Sequence, residues 1–167
     1  VGISAGCRLV EARGPSYQKG FVVVFQGASS LSLDAKGRLS VPTRHRDVLA
    51  ATAEGQLTIT RHPHGCLMIF PRPAWEQFRE RVATMPLKDQ WLKRLFIGNA
   101  MDVQMDATGR ILVSPELRAA ARIERDTLLL GMGSHFELWD KATHDEQEAR
   151  ALAAGLAESA AFNDLAF

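Results

Sequence analysis

Two short stretches of the chain join an aspartate to an arginine four positions later around a glycine: Asp34-Ala-Lys-Gly-Arg38 and Asp106-Ala-Thr-Gly-Arg110. An arginine guanidinium is a planar fork of donors that matches phosphate oxygens, or the O6 and N7 edge of guanine, two at a time. A carboxylate four residues earlier can accept from that fork or from the amides of the turn, which holds the guanidinium in place before a ligand arrives. Its own charge argues against its facing phosphate. Lys36, Arg44 and Arg46 lie near the first turn and are expected to add phosphate contacts that position without specifying sequence. In the second stretch Thr108 replaces Lys36 and Glu116 replaces Arg44. The first turn is therefore expected to contact DNA, and Asp106 and Arg110 to serve either DNA or a joint between subunits. The plainer account is a salt bridge that locks a tight turn, but an exposed pair contributes only ~0 to 1 kcal/mol, a weak reason to repeat one.

Other chemistries fit the residues less well. Symmetry-related Asp34 and Asp106 could suggest an acid dyad of the aspartic hydrolase kind, yet that chemistry places Thr-Gly directly after the aspartate. Here two residues intervene before the glycine and an arginine follows, which would lower the carboxyl pKa rather than let two acids share a proton. Ser29, Ser30 and Ser40 have no nucleophile context, and no Gly-rich phosphate loop is present, so no enzyme, cofactor or small-molecule substrate is expected. His62, His64 and Cys66 form a ligand-like cluster on a turn, but a fourth ligand is not evident, and Pro63 with Gly65 reads as a polar hairpin tip without metal. His135 and His144 read as surface or interface residues.

The elements that must carry the two turns are themselves repeated. Leu31-Ser-Leu-Asp-Ala-Lys-Gly-Arg-Leu-Ser-Val-Pro42 aligns with Val103-Gln-Met-Asp-Ala-Thr-Gly-Arg-Ile-Leu-Val-Ser114, and Arg46 recurs as Arg118. Each copy reads as an alternating strand, a glycine turn, a second strand, a short helix and a further strand pair. The first helix begins near Thr43; the second is capped by Ser114 with Pro115 at its first position. The later strands are Leu57 to Thr60 with Cys66 to Phe70, and Thr127 to Leu130 with Phe136 to Trp139. Between the copies, helices are expected from Pro73 to about Thr84 and from about Lys88 to Ile97, with Trp75, Phe78, Val82, Trp91, Leu92 and Leu95 at helical spacing, as core or subunit interface. A terminal helix is expected from Thr143 to about Ala161.

With 167 residues and 46% hydrophobic content the chain can bury a core. Its longest apolar run, Phe21 to Phe25, is far short of a membrane span, and no clear signal peptide opens the sequence, so a cytoplasmic protein without membrane partners is expected. Cys7 and Cys66 are expected to be free thiols. Net charge is only +1, but residues 24 to 94 carry eleven basic and six acidic groups while residues 134 to 167 carry two and seven. A basic half thus precedes an acidic tail, which could steer a polyanion to one face.

Taken with Val24-Phe-Gln-Gly-Ala28, Lys36-Gly-Arg-Leu-Ser-Val-Pro42, Phe70-Pro-Arg-Pro-Ala-Trp75, Gly98-Asn-Ala100 and Phe136-Glu-Leu-Trp-Asp140, the repeated turns closely resemble the MraZ family of bacterial regulators. The resemblance covers approximately residues 24 to 167. It implies an α+β fold: a duplicated swapped-hairpin β-barrel of the AbrB type, with two pseudo-symmetric halves plus interspersed and C-terminal helices. On that basis residues 24–72 and 99–141 are the two halves, 73–98 a helical connector and 142–167 a C-terminal helix and tail, while 1–23 precede the family pattern and place the expected native start at Val24. The resemblance further implies sequence-specific binding to double-stranded DNA at repeated boxes by a ring-shaped homo-oligomer on the nucleoid. Its implied role is to regulate the promoter of a division and cell-wall gene cluster. The rival within the same superfamily is an antitoxin that binds a protein partner, which usually carries one half per chain and a disordered tail.

Overall fold

The computed structural model describes residues 7–11, 21–156 and 159–165, with side chains from Val24 onward, so the thiol of Cys7 lies outside the described residues. Its strands are β1 (Cys7–Glu11), β2 (Phe21–Ser32), β3 (Arg38–Ser40), β4 (Gln56–Arg61), β5 (Leu67–Pro71), β6 (Met101–Gln104), β7 (Arg110–Leu112), β8 (Asp126–Gly133) and β9 (Phe136–Asp140). Its helices are α1 (Thr43–Ala53), α2 (Arg72–Ala83), α3 (Gln90–Phe96), α4 (Pro115–Ala120), α5 (Lys141–Ala153) and α6 (Ala160–Asn163).

Among the described residues, seven strands form one antiparallel sheet in the order β1-β2-β8-β9-β5-β4-β6, and β3 pairs only with β7. Apart from β1 the order is a palindrome of the two copies. The leading strand of each copy pairs with the third strand of the other: β2 with β8, and β6 with β4. The two halves meet where β5 pairs with β9, Leu67 opposite Leu138 and Ile69 opposite Phe136. Strand exchange between copies is thus present, but the expected closed barrel is not: among the described strands the sheet is open, with β1 and β6 at its edges. The physical reason is that β2 and β6 run into the glycine turns, after which the three-residue β3 and β7 can pair only with each other.

Alternation along the strands builds two layers of apolar contact. Leu57 and Ile59 of β4, Leu67 and Ile69 of β5, Leu129 of β8 and Leu138 of β9 face one core, which Leu39, Val41 and Leu49 close from the first copy and Ile111, Val113 and Leu117 from the second. On the other sheet face Met68 and Phe70 pack under Trp75, Val82 and Phe96 of α2 and α3, and Cys66 and Leu128 pack with Trp139. Strand β5 is buried on both faces, which explains its unbroken apolar run. Cys66 is free and buried.

The helices begin as their sequences indicate. Ser114 accepts from the Leu117 amide at 3.3 Å and Pro115 opens α4. The helix expected from Pro73 starts one residue earlier, at Arg72. The segment expected from Lys88 divides into a 3-10 turn, Leu87–Asp89, and α3. The terminal helix stops at Ala153, before Gly155 at φ 85°, and α6 follows separately.

Candidate nucleic-acid interface

Each aspartate organises its own turn. Asp34 Oδ1 accepts from the Lys36 and Arg38 amides, both at 2.9 Å, and Oδ2 accepts from Arg38 Nε and Nη2, both at 2.7 Å. In the second copy Asp106 Oδ1 accepts from the Thr108 amide at 2.9 Å, the Thr108 hydroxyl at 2.7 Å and the Arg110 amide at 2.9 Å, while Oδ2 takes Arg110 Nε at 3.0 Å. The backbone closes both loops in the same way, the amide of Gly37 donating to the Asp34 carbonyl and that of Gly109 to the Asp106 carbonyl, each at 2.9 Å. Both aspartates are held below the usual carboxylate range, first by the amide of the following arginine; the Arg38 guanidinium and the Lys36 amide add to this at Asp34, and the Thr108 hydroxyl and the Arg110 guanidinium at Asp106. They stay ionised at any pH where the protein would work. Thr108 thus makes a hydroxyl contact within the second turn that Lys36 cannot make in the first.

The two turns are stitched to each other. The Val41 amide donates to the Gly109 carbonyl at 2.9 Å, and the Val113 amide to the Gly37 carbonyl at 3.0 Å. Between them β3 and β7 pair as Arg38 with Leu112, Leu39 with Ile111 and Ser40 with Arg110. Leu39 and Ile111 point into the core at 0% and 1% exposure, so Arg38, Ser40, Arg110 and Leu112 share the opposite face. That face is open: the Arg38 and Arg110 side chains are 29% and 34% exposed, and Leu112 is 50% exposed. Arg38 and Arg110 are diagonal neighbours on it, a relation that typically spans ~7 to 8 Å between backbones.

The remaining sequence-predicted residues divide. Lys36 is exposed at the tip of the first turn. Arg44 turns back onto β2, where Nη2 donates to Ser29 Oγ at 2.5 Å and to the Ala28 carbonyl at 3.4 Å. Its Nε donates to Nε2 of His45 at 3.2 Å. Arg46 donates from Nε to the Val41 carbonyl at 2.7 Å and lies across Gly109, so it sits against the second turn rather than the first. Arg118 mirrors it, with Nε to the Val113 carbonyl at 3.2 Å and its guanidinium across Gly37.

Three residues of this region were not legible as site residues in the sequence. Ser40 and Leu112 join the arginine face through strand alternation, a signal that two three-residue strands carry too briefly to read. His45 is buried between Phe25 and Phe136, with ring centroids 5.6 and 5.0 Å away, and its Nδ1 has no partner among the described residues. Burial first, and then the neighbouring Arg44 charge, push its pKa down to about 4. A neutral ring there can accept the Arg44 bond.

A two-stranded antiparallel ribbon is narrow enough to enter the DNA major groove, and an arginine on its outer face can reach guanine edges or phosphate. A family model described as "MraZ protein, putative antitoxin-like" matches residues 24–94 and again residues 96–165. A protein of Variovorax paradoxus (strain S110), called Transcriptional regulator MraZ, is 73% identical over 144 residues, 86% of this chain and 100% of that relative. Proteins of the same name from Verminephrobacter eiseniae (strain EF01-2) and Ralstonia pickettii (strain 12J) are 69% identical over 144 residues and 59% identical over 136 residues. These matches cover 86% and 81% of this chain, and 100% and 96% of the relatives.

Proposed function

The chain belongs to the MraZ family, and from that premise we propose that it is a DNA-binding transcription regulator that reads sequence through the outer face of the β3/β7 ribbon. The observation that carries this reading is the placement of Arg38 and Arg110 on one exposed face, each held by its own aspartate. A guanidinium fixed before binding loses less freedom on binding than a free one. Arg38 and Arg110 are assigned to base edges or flanking phosphates in the major groove, with Lys36 as a phosphate contact. The shared face favours a DNA role for Arg110 over a separate role at a subunit joint. Asp34 and Asp106 act through their arginines. Arg46 and Arg118 position the turns, and Arg44 can reach phosphate only by leaving Ser29.

Four positions on one ribbon read few base pairs, so useful selectivity is assigned to several chains bound side by side on repeated boxes, as a ring-shaped homo-oligomer. The target in this reading is the promoter of a division and cell-wall gene cluster, and the protein works on the nucleoid. The helical α5 and α6 differ from the disordered tail of an antitoxin that binds a protein partner. No helix of the described residues is long and apolar enough to cross a membrane.

The test is binding of the purified protein to its own upstream DNA and to a scrambled duplex, across a range of salt, with Arg38→Ala and Arg110→Ala in parallel. Wild type is expected to prefer its own sequence and to weaken steeply with salt. Each variant is expected to lose about tenfold or more in that preference, the ~1 to 3 kcal/mol of a good base contact. Equal affinity for both duplexes, or two variants that bind like wild type, would remove the ribbon from the interface.

A further inference from the structure

We propose that the hairpin tip between β4 and β5, together with Glu137 of β9, is a binding site for one zinc-like divalent cation. One ring nitrogen of His62, the Cys66 sulfur and a carboxylate oxygen of Glu137 all lie within 4.8 Å of one another. They come from two places in the sequence, the hairpin tip and β9, and meet because β5 pairs with both of its neighbours. His62 and Cys66 face each other across the tip, where the His62 amide donates to the Cys66 carbonyl at 2.9 Å. Glu137 pairs with Met68, two residues beyond Cys66 and on the same outer sheet face. Histidine 64, grouped with His62 and Cys66 by spacing alone, is not in the cluster; Glu137, some 70 residues away in sequence, takes that place.

The donor set selects the metal. Sulfur with imidazole and carboxylate suits zinc, whereas calcium and magnesium take oxygen ligands. Tetrahedral zinc, at ~2.3 Å from sulfur and ~2.0 to 2.2 Å from nitrogen and oxygen, sets its ligands about 3.3 to 3.7 Å apart. His62 and Glu137 are half-buried and can close the difference of about 1 Å, while buried Cys66 stays in place. Glu137 is already oriented, because Trp139 Nε1 donates to its Oε2 at 2.9 Å, the kind of outer contact that supports metal ligands. His62 Nδ1 accepts from the His64 amide at 3.1 Å, so ligation through Nε2 moves the ring proton to Nδ1 and passes that exposed amide to water. A water completes the four ligands. The site lies at the far end of β4 from Gln56, whose pairing with Gln104 leads to the Asp106 turn, so it can be tested without DNA.

The full chain, stripped with a chelator, should be titrated with Co²⁺ and then with Zn²⁺. The expected result is one equivalent of cobalt giving a thiolate-to-metal charge-transfer band and tetrahedral visible bands, both removed by zinc. Cys66→Ser should lose the charge-transfer band, Glu137→Gln should bind about tenfold more weakly or worse, and His64→Ala should match wild type. Zinc should also raise the melting temperature of wild type more than that of Glu137→Gln. The proposal is overturned by a wild-type protein that shows no thiolate band, or by zinc uptake equal in wild type and Cys66→Ser. Should Cys66→Ser fail to fold, Glu137→Gln decides in its place, and equal affinity there overturns the site.

Discussion

At the scale of single residues, the turns depend on a reciprocal contact that charge alone does not reveal. Gly109 has a φ of 78°, and a Cβ added there would lie 2.2 Å from Arg46 Nε; at Gly37, also at φ 78°, it would lie 2.9 Å from Arg118 Cζ. Gly65, at φ 88°, has nothing within 4 Å of such a carbon. Left-handed backbone costs an L-residue ~1 to 2 kcal/mol whatever surrounds it. Gly65→Ala is therefore expected to lose about that much in denaturant unfolding. Gly109→Ala should lose roughly 1 kcal/mol more, because Arg46 must give up its bond to Val41, and it alone should weaken DNA binding. Equal losses at both positions would show that Arg46 yields freely. The turn carboxylates add a sign. A depressed pKa in the folded state means stability present above the unfolded value of ~3.9 and lost as pH falls through the folded one. Asp34 and Asp106 should thus add no slope of their own to the pH profile between about 5 and 8.

At the scale of elements, α1 carries a titration of its own through His45. Its folded pKa, about 4, lies below the ordinary histidine value of 6.5, so the unfolded chain binds the proton more readily. Stability is therefore full above about 6.5 and declines as pH falls toward 4, by at most ~1.4 kcal/mol for each pH unit. His45→Gln should flatten unfolding free energy over that interval, and an unchanged slope would place the titration elsewhere. Sequence alone revealed the start of α4, where Ser114 and Pro115 supply the cap, and the repeated strand-turn-strand order, where Gly37 and Gly109 mark the bends. It could not show that Arg46 crosses to the second turn, since that depends on β3 pairing with β7 rather than on spacing. Nor does the sequence reveal the break after Ala153, because the alanine-rich stretch outweighs one glycine in helix propensity. Glu137 stayed invisible beside Cys66 for a related reason: contacts between β5 and β9 join residues distant in the chain.

At the scale of the whole molecule, most large apolar side chains of the described residues are inside, yet Leu87 in the 3-10 turn before α3 and Trp91 in the first turn of α3 are 85% and 77% exposed, with Arg94 over the Trp91 ring at 4.8 Å. Exposed aromatic surface of this kind suits contact between copies. Trp91→Ala is expected to lower the mass seen by light scattering while leaving the circular dichroism of the chain unchanged. A monomeric wild type, or a variant of equal mass, would separate Trp91 from assembly. The duplication was legible from the repeat, but the open sheet was not, since closure depends on how far β3 and β7 extend.

The exchange of β2 onto β8 and of β6 onto β4 has a consequence for inheritance as well as for shape. Each repeat leaves its sibling an incomplete sheet and repairs it in turn, so neither can be shed, shuffled to another gene or allowed to drift alone without stripping a hydrogen-bonding partner from the other. The tandem behaves as one unit, a dimer fused into a single chain, whose two members differ inward as well as outward: buried Leu39 stands against Ile111 and His45 against Leu117, and outward-facing Ser40 against Leu112.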